Sequence, residues 1–236
     1  MFQAGTLLKE LKKVGIQLIT GTPCSMLTSL FDAAADSDDF DFITTANEAE
    51  AIALAAGADL GGRRALVVFQ NSGLGNAINP LTSPALPFRK HMMIVTTWRG
   101  EPDSDDEPQH ELMGQITPNL FELLGIPCEE VPEKAVDLTG ALRRADDHMQ
   151  KHGTPYALLL KHDILRAASQ SASEDRASFV IEELIPPWED DERWEQDDAL
   201  SVIQTNTAER DVVLTTTGFT GRALYALEDR ENPLYM

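Results

Sequence analysis

Three side chains of this sequence combine a reactive type with a position suited to chemistry: Glu48, Arg99 and His110. Glu48 opens the alanine-rich stretch NEAEAIALAAG, directly after an apolar run. Arg99 and His110 lie in TWRGEPDSDDEPQH, a charged stretch that also follows an apolar run. A carboxylate can hold a proton, and the two nitrogen-bearing side chains can bind an anion. Whether they do so depends on the elements that position them.

These residues are carried by an alternation of predicted strands and helices. The apolar runs GIQLIT, DFITTA, ALVVFQ and MMIVTTW predict strands, PCEEV and PYALLLK predict two more, and helical patterns lie between them. Such alternation predicts an α/β fold with a doubly wound, mostly parallel sheet covered by helices on both faces. Ligands bind at the carboxyl ends of the strands in such sheets. A site is therefore expected in the loops GTPCS, NEAE, NSGLGN and RGEPDSDDEPQH.

Two of these loops have a structural interpretation besides a functional one. On position alone, Glu48 is a helix cap, because an acidic residue in the first turn of a helix gains about 0.3–1 kcal/mol from the helix dipole. NSGLGN is either a phosphate-binding turn or merely a tight turn between strand and helix. It is a poor dinucleotide fingerprint, since Ile78 stands where a third small residue is required, so a nicotinamide-binding oxidoreductase is disfavoured.

The acidic loop after the fourth apolar run presents a similar choice. Asp103, Asp105 and Asp106 lie close together, but the glycine and spacing of a calcium loop are absent. We interpret the three aspartates as solvated and predict no metal site on this chain. His110 alone carries little weight, because a lone histidine is more often structural.

The composition excludes several classes of protein. Among 236 residues the formal net charge is −20, with 19 lysines and arginines, which argues against nucleic-acid binding. We find no apolar run of membrane-spanning length and no signal peptide, so no membrane association is predicted. The two cysteines, Cys24 and Cys128, lack metal-ligand spacing and predict a reducing, cytoplasmic environment.

The character of the chain changes near its C-terminal third. We predict a first domain over residues 1–165 and an acidic linker over 166–196, where IPPWEDDERWEQDD combines prolines with charge. Order is expected to return over 197–236, with two helices around the strand DVVLTTTG. We interpret this last segment as the truncated start of a second α/β domain.

Taken together, the four loops resemble one family. GTPCS, NEAEAIALAAG, QNSGLGNAINPLTS and TWRGEPDSDDEPQH occur in the order typical of thiamine-diphosphate-dependent phosphonopyruvate decarboxylases, to which the sulfopyruvate decarboxylases are close relatives. The resemblance runs from about Gly15 to Asp163, which corresponds to the pyrimidine-binding domain of the family. It resumes in VVLTTTGFTGRALYAL, which looks like the start of the diphosphate-binding domain.

The resemblance implies a role for each loop. Glu48 would be catalytic: it would hydrogen-bond the aminopyrimidine of thiamine diphosphate and favour the imino tautomer that activates the cofactor for decarboxylation of a 2-oxo acid. The glycine turn would help to bind the cofactor, through Glu48, Asn71, Ser72, Gly73 and Asn76. The remaining two loops would bind a small anionic 2-oxo acid, through Thr22, Pro23, Cys24, Ser25, Arg99 and His110.

One family motif is absent. The Gly-Asp-Gly segment that holds Mg²⁺ and the cofactor's diphosphate does not occur in this sequence. We therefore expect the metal site in a missing domain, and expect the chain to be a fragment of a carboxy-lyase that is inactive alone. The alternatives are a sulfopyruvate decarboxylase resembling the alpha subunit and a catalytically incomplete binding or regulatory subunit. The resemblance also implies phosphonate biosynthesis and a homodimer or larger homo-oligomer.

Overall fold

The computed structural model describes residues 2–162, 164–166, 195–208, 211–214, 219–227 and 234–235. The chain divides into two compact units, Met1–Gln170 and Ser171–Met236. Most of the linker predicted for residues 166–196 lies outside the described residues, so each unit is presented separately.

The first unit is built on a six-stranded sheet in which every pair of neighbouring strands is parallel. The strand order is β3-β2-β4-β5-β7-β6. A separate pair of two-residue strands, β1 (Phe2–Gln3) and β8 (Leu165–Arg166), is also parallel. The strands of the main sheet are β2 (Leu18–Gly21), β3 (Asp41–Thr44), β4 (Ala65–Phe69), β5 (Met93–Thr97), β6 (Cys128–Glu130) and β7 (Tyr156–Leu160).

Six α-helices accompany this sheet: α1 (Ala4–Lys13), α2 (Thr28–Ala35), α3 (Glu48–Leu60), α4 (Leu74–Pro80), α5 (Glu111–Leu123) and α6 (Ala135–His152). Short 3₁₀ segments precede three of them, at Ser25–Leu27, Asn71–Gly73 and Pro108–His110, and a π-helical turn follows α4 at Leu81–Ala85. Among the described helices of the chain, none combines the length and apolar character needed to cross a membrane.

The central strands explain why helices cover both faces. Every residue of β4, β5 and β7 is buried, and successive side chains point to opposite faces. In β4, Leu66 and Val68 pack into a core with α1, α2 and α6, while Val67 and Phe69 pack into a second core with α3, α4 and α5. The predicted doubly wound parallel sheet is thus confirmed, with all six predicted segments forming its strands.

The described part of the second unit contains short elements. Helix α7 (Gln196–Asn206) precedes β9 (Val213–Leu214), which is followed by α8 (Phe219–Leu227) and β10 (Leu234–Tyr235). The two strands pair in parallel. The helices fall where the sequence predicts them. Their assignment to the start of a diphosphate-binding domain stays a prediction.

Candidate active site at the carboxyl edge of the sheet

The order of the strands creates a crevice between β2 and β4. These strands are hydrogen-bonded neighbours, but the chain leaves β2 toward β3 on one side and leaves β4 toward β5 on the other. The loops that follow them therefore diverge at their carboxyl ends, which is where ligands bind in open α/β sheets. GTPCS follows β2 and NSGLGN follows β4, so two predicted site loops flank the crevice.

Helix α3, which carries Glu48, is capped by other residues. The side chain of Asn47 accepts a hydrogen bond from the backbone N–H of Glu50 at 3.0 Å. The Glu50 carboxylate in turn accepts from the backbone N–H of Ala46 at 2.7 Å. Asn47 is thus the N-cap, and Glu50 accepts from the N–H of the residue before it, which is a variant of the capping box. The hydrogen-bonding cap of α3 is therefore Asn47, while Glu48 keeps the favourable place of an acidic residue in the first turn.

The Glu48 carboxylate instead turns inward toward the glycine turn. Only 9% of Glu48 is exposed, and its Oε2 accepts a hydrogen bond of 2.8 Å from Asn76 Nδ2. A β-carbon placed on Gly73 would lie 2.1 Å from Glu48 Cδ. Gly73 has an ordinary φ of −80°, so its missing side chain serves to leave space for the carboxylate. Among the described residues, none donates a hydrogen bond to Glu48 Oε1.

Asn71 and Ser72, the other predicted cofactor contacts of this turn, lie in different environments. Asn71 is fully buried, and its Oδ1 accepts from the backbone N–H of Arg99 at 3.0 Å. Its Nδ2 donates to the Arg99 carbonyl at 2.9 Å and to Thr117 Oγ1 at 3.2 Å. This amide joins the end of β4 to the end of β5. Ser72 is exposed and accepts from Gln70 Nε2 at 2.7 Å.

Arg99 is held by a carboxylate of the acidic loop. Its Nε lies 3.0 and 2.8 Å from the two carboxylate oxygens of Asp106, and its Nη2 lies 2.5 Å from Oδ1. The two side chains are only 16% and 14% exposed. Hydrogen bonding from Arg99 holds the pKa of the Asp106 carboxyl well below its usual range, and Asp106 raises the pKa of Arg99. Asp106, expected to be a solvated loop residue, is a buried ion-pair partner.

The loop after β2 lies within electrostatic reach of Arg99. Burial raises the pKa of the Cys24 thiol, and the backbone N–H groups of Leu27 and Met26 and the charge of Arg99 oppose that rise. The structure thus brings together two predicted substrate loops that are about seventy-five residues apart in sequence. Pro23 and Ser25 of the same loop are exposed.

Two predicted substrate residues present unsatisfied polar atoms. Thr22 Oγ1 and His110 Nδ1 are buried and have no hydrogen-bond partner among the described residues. An unsatisfied buried polar group costs about 1–3 kcal/mol, and most buried polar groups avoid it. Thr22 continues β2 through a backbone hydrogen bond to Val68, and His110 directly precedes α5. Both atoms therefore have capacity for a ligand.

The sequence reasoning missed Lys161, which directly follows β7. Its Nζ lies 2.7 Å from a Glu101 carboxylate oxygen, 2.9 Å from one of Glu130, and 5.3 Å from the ring centre of Trp98. The lysine therefore attaches the start of the acidic loop to the sheet. The available signal was its place just after an apolar strand. In the part of the chain that the structure describes, no three His, Cys, Asp or Glu side chains group as a metal site requires.

The fold and the position of the site at the carboxyl edge of the sheet indicate a class of protein. Comparison with known proteins identifies that class. Residues 3–120 match the family model described as the thiamine pyrophosphate enzyme N-terminal TPP binding domain. Two solved structures share the fold. One, a putative thiamin diphosphate-dependent enzyme from Mycobacterium smegmatis, has a TM-score of 0.53 at 23% identity and covers 75% of this chain and 34% of its own. The other, benzoylformate decarboxylase from Polynucleobacter necessarius, has a TM-score of 0.52 at 19% identity and covers 91% and 38%.

Curated relatives narrow the family. The chain is 34% identical to a phosphonopyruvate decarboxylase of Streptomyces viridochromogenes over its full length, which is 60% of that relative. It is 31% identical to a sulfopyruvate decarboxylase subunit alpha of Methanococcus maripaludis, over 64% of this chain and 90% of that one. The chain belongs to the thiamine pyrophosphate enzymes, as a member with their N-terminal TPP binding domain. It spans about three fifths of the length of the phosphonopyruvate decarboxylases it matches.

The residues of the crevice fit the pyrimidine end of the cofactor. Glu48 is buried, one of its carboxylate oxygens is oriented by Asn76, and the other is left without a donor among the described residues. Gly73 leaves space that a β-carbon would fill. A partly satisfied carboxylate of this kind can bind the ring nitrogen of an aminopyrimidine.

Proposed function

We propose that this chain supplies the pyrimidine-binding half of a thiamine-diphosphate-dependent decarboxylase acting on phosphonopyruvate, with phosphonoacetaldehyde and carbon dioxide as products. The observation that carries the proposal is the position of Glu48, which is released from capping by Asn47 and Glu50 and buried against Gly73. The full-length similarity to phosphonopyruvate decarboxylases supports the choice of substrate.

In this proposal, Glu48 is the catalytic residue. Bound thiamine diphosphate supplies the electron sink that lets a 2-oxo acid lose carbon dioxide. Glu48 would hold the pyrimidine ring nitrogen of the cofactor, and its carboxylate would stabilise a proton there, which a neutral amide would not do. Asn76 holds the other oxygen and thereby orients the carboxylate. Gly73, Asn71 and Ser72 complete the proposed cofactor side of the crevice.

The substrate side of the crevice binds the anionic 2-oxo acid. Arg99 provides positive charge near the loop of Thr22, Pro23, Cys24 and Ser25. Thr22 Oγ1 and His110 Nδ1 provide further polar atoms that lack partners among the described residues. A single cation with several directed hydrogen bonds suits a small acid that carries a phosphonate or sulfonate group.

Other features of the proposed enzyme concern groups beyond the described residues. Mg²⁺ and the diphosphate would be held by a domain that corresponds to the part of the longer relatives not matched here. We further propose a homodimer or larger homo-oligomer, a cytoplasmic location and a role in phosphonate biosynthesis.

The decisive experiment replaces Glu48 with glutamine in the enzyme assembled with a diphosphate-binding domain. We expect carbon dioxide release from phosphonopyruvate to fall at least about a hundredfold, because glutamine cannot stabilise the proton. Glu50→Gln is the matched control: it lies two residues away, weakens only the capping box and should leave turnover within about threefold. Turnover by Glu48→Gln that equals the control would contradict the proposal.

A second candidate substrate is sulfopyruvate. It is favoured by the match to 90% of a sulfopyruvate decarboxylase subunit alpha. The ratio of kcat/KM for the two acids on the assembled enzyme distinguishes the candidates, and we expect phosphonopyruvate to be preferred. A catalytically incomplete binding subunit is the remaining alternative. It predicts no decarboxylation of either acid, even when the chain is supplied with a diphosphate-binding domain, Mg²⁺ and thiamine diphosphate.

A further inference from the structure

The pairing of Arg99 with Asp106 restricts how Arg99 can bind an anion. Asp106 accepts from Nε and Nη2, which lie along one edge of the planar guanidinium. Within the described residues, Nη1 has no hydrogen-bond partner. Because the guanidinium is rigid and planar, binding of one edge sets the direction in which Nη1 points. Both N–H groups of Nη1 and one N–H of Nη2 therefore remain for an anion, and their orientation is determined in advance.

Asp106 is itself held firmly by the backbone. Its Oδ2 accepts from the N–H of Gly100 at 2.7 Å, and its Oδ1 accepts from the N–H of Glu107 at 2.8 Å. The backbone at Gly100 has little room to move, because a β-carbon there would lie 2.1 Å from the His110 carbonyl oxygen. A β-carbon on Gly114 would likewise lie 1.6 Å from the Gly100 carbonyl oxygen. The carboxylate is thus attached to a tightly packed part of the chain.

Attachment of the acidic loop does not depend on Asp106 alone. Lys161 binds Glu101 at the start of the loop, and the backbone of His110 at its end packs closely against Gly100. The loop is therefore attached at both ends without Asp106. The contacts of Asp106 with Arg99 serve in addition to orient the guanidinium. Arg99 needs such orientation, because a free arginine side chain loses rotamer entropy when it is immobilised.

We propose that Asp106 is a positioning residue for anion recognition: it holds the Nε–Nη2 edge of the Arg99 guanidinium, so that the two N–H groups of Nη1 and the remaining one of Nη2 are presented to the acidic group of the substrate. The inference rests on the proposed function, since it takes Arg99 as the substrate's cation. It adds a residue that touches no substrate. It also implies that the anion is recognised by the free end of an arginine whose charge is already paired with Asp106.

The experiment measures anion binding to the 236-residue chain without cofactor or turnover. Phosphonoacetate and sulfoacetate, which carry the two acidic groups but no keto group, are titrated into ¹⁵N-labelled protein while the Nε–H signals of arginine are followed. We expect the Arg99 signal to shift. In Asp106→Asn the amide N–H₂ opposes the guanidinium donors, so the dissociation constant should rise at least about fivefold. Spectra are recorded at a temperature where each variant is folded.

Two further variants separate positioning from other effects. Asp105→Asn removes the same charge from an exposed neighbour and should change the dissociation constant less than about twofold. Asp106→Glu keeps the charge but displaces the carboxylate, so it should weaken binding nearly as much as Asp106→Asn, and it serves as the test if the asparagine variant does not fold. A purely structural role would lower stability in these variants without changing the affinity of the folded chain.

Three results would overturn the inference: no shift of the wild-type Arg99 signal at millimolar ligand, equal affinity of Asp106→Asn and wild type, or an equal loss in Asp105→Asn. These results concern anion binding only. The proposed function is judged separately by turnover of Glu48→Gln, so either idea can fail while the other stands.

Discussion

Glu48 and Asp106 are carboxylates at the same edge of the sheet, yet their surroundings are opposite. Asp106 receives hydrogen bonds from Arg99 on both oxygens and from two backbone N–H groups. Glu48 receives one, from Asn76, although it is more deeply buried. Burial of a carboxylate is costly unless hydrogen bonds compensate. Asp106 is therefore satisfied within the chain, whereas Glu48 retains capacity for a ligand.

The comparison contrasts a carboxylate whose hydrogen bonds are all made within the chain with one that can still accept a hydrogen bond from a ligand. Sequence position would suggest the reverse assignment, because Glu48 starts a helix and Asp106 belongs to an acidic loop. In the structure Asn47 and Glu50 make the hydrogen bonds of the helix cap, so the Glu48 carboxylate takes no part in them. Substitutions around Glu48 and around Asp106 test this difference.

The strongest perturbation of Glu48 is Gly73→Ala. The added β-carbon would lie 2.1 Å from Glu48 Cδ, so the carboxylate must move. We expect turnover of the assembled enzyme to fall about a hundredfold, as misplacement by about 1 Å can cause. Gly75→Ala is the control, because its β-carbon meets no atom within 4 Å. The control should keep turnover within about twofold and gain about 0.5–1 kcal/mol in stability.

Removal of the amide of Asn76 should have a smaller effect. Asn76→Ala deletes the one side-chain hydrogen bond to Glu48, so the carboxylate loses orientation but not its place. We expect turnover to fall about tenfold, equivalent to about 1.4 kcal/mol. Asn79→Ala, on the same helix and exposed, provides the comparison and should behave like wild type in the same carbon dioxide assay. Identical kinetics of the two variants would show that Asn76 does not orient Glu48.

Asp106 should contribute to the free energy of unfolding, and this contribution should depend on pH. Its folded-state pKa lies below the ordinary value of 3.8, chiefly because Arg99 donates to it. A depressed carboxyl pKa contributes stability that is present above pH 3.8 and is lost as the pH falls toward the folded-state value. Asp106→Asn should therefore cost about 1–3 kcal/mol at neutral pH.

Below pH 3.8 the difference between wild type and Asp106→Asn should shrink. Urea unfolding at a series of pH values measures it, with Asp105→Asn as the control for charge alone. A difference that stays constant with pH would mean that the ion pair does not stabilise the native chain.

The smallest effect is expected from the capping residue Asn47. Asn47→Ala removes the acceptor of the Glu50 N–H and should cost about 1 kcal/mol in a thermal or urea unfolding experiment. Turnover should stay within about twofold, because the cap and the Glu48 carboxylate are separate. A loss of turnover as large as that of Asn76→Ala would indicate that the cap and the catalytic group are coupled.

The sequence predicted the fold well because its signals are local and repeated. All six strands of the main sheet fall inside predicted segments to within a residue, and the central strands were the clearest, since fully apolar runs bounded by turns are typical of buried parallel strands. The loops that should meet were also predicted, because parallel strands place their carboxyl ends at one edge. The charge of Arg99 acts to lower the pKa of the Cys24 thiol, which agrees with that expectation.

The partners within the site were harder to predict. Asp106 is one of three similar aspartates, and only its position after the turn at Gly100 selects it for Arg99. Lys161 reaches Glu101 across sixty residues of sequence, through strands that become neighbours only in the sheet. Asn71 could not be recognised as a link between β4 and β5 for the same reason.

The sequence alone established the α/β class and the order of the loops, and the joint resemblance of the loops to one family predicts a role for Glu48. Those properties follow from the periodicity of apolar residues and from short motifs, both of which are written along the chain. Only the tertiary structure decided that Asn47 and Glu50 cap the helix, that Gly73 is glycine to leave space, and that Arg99 is held by Asp106. Those facts depend on distances of a few ångströms between particular atoms, within one turn for Asn47 and Glu50 and between separate loops for Gly73 and Glu48, and these distances exist only once the chain has folded.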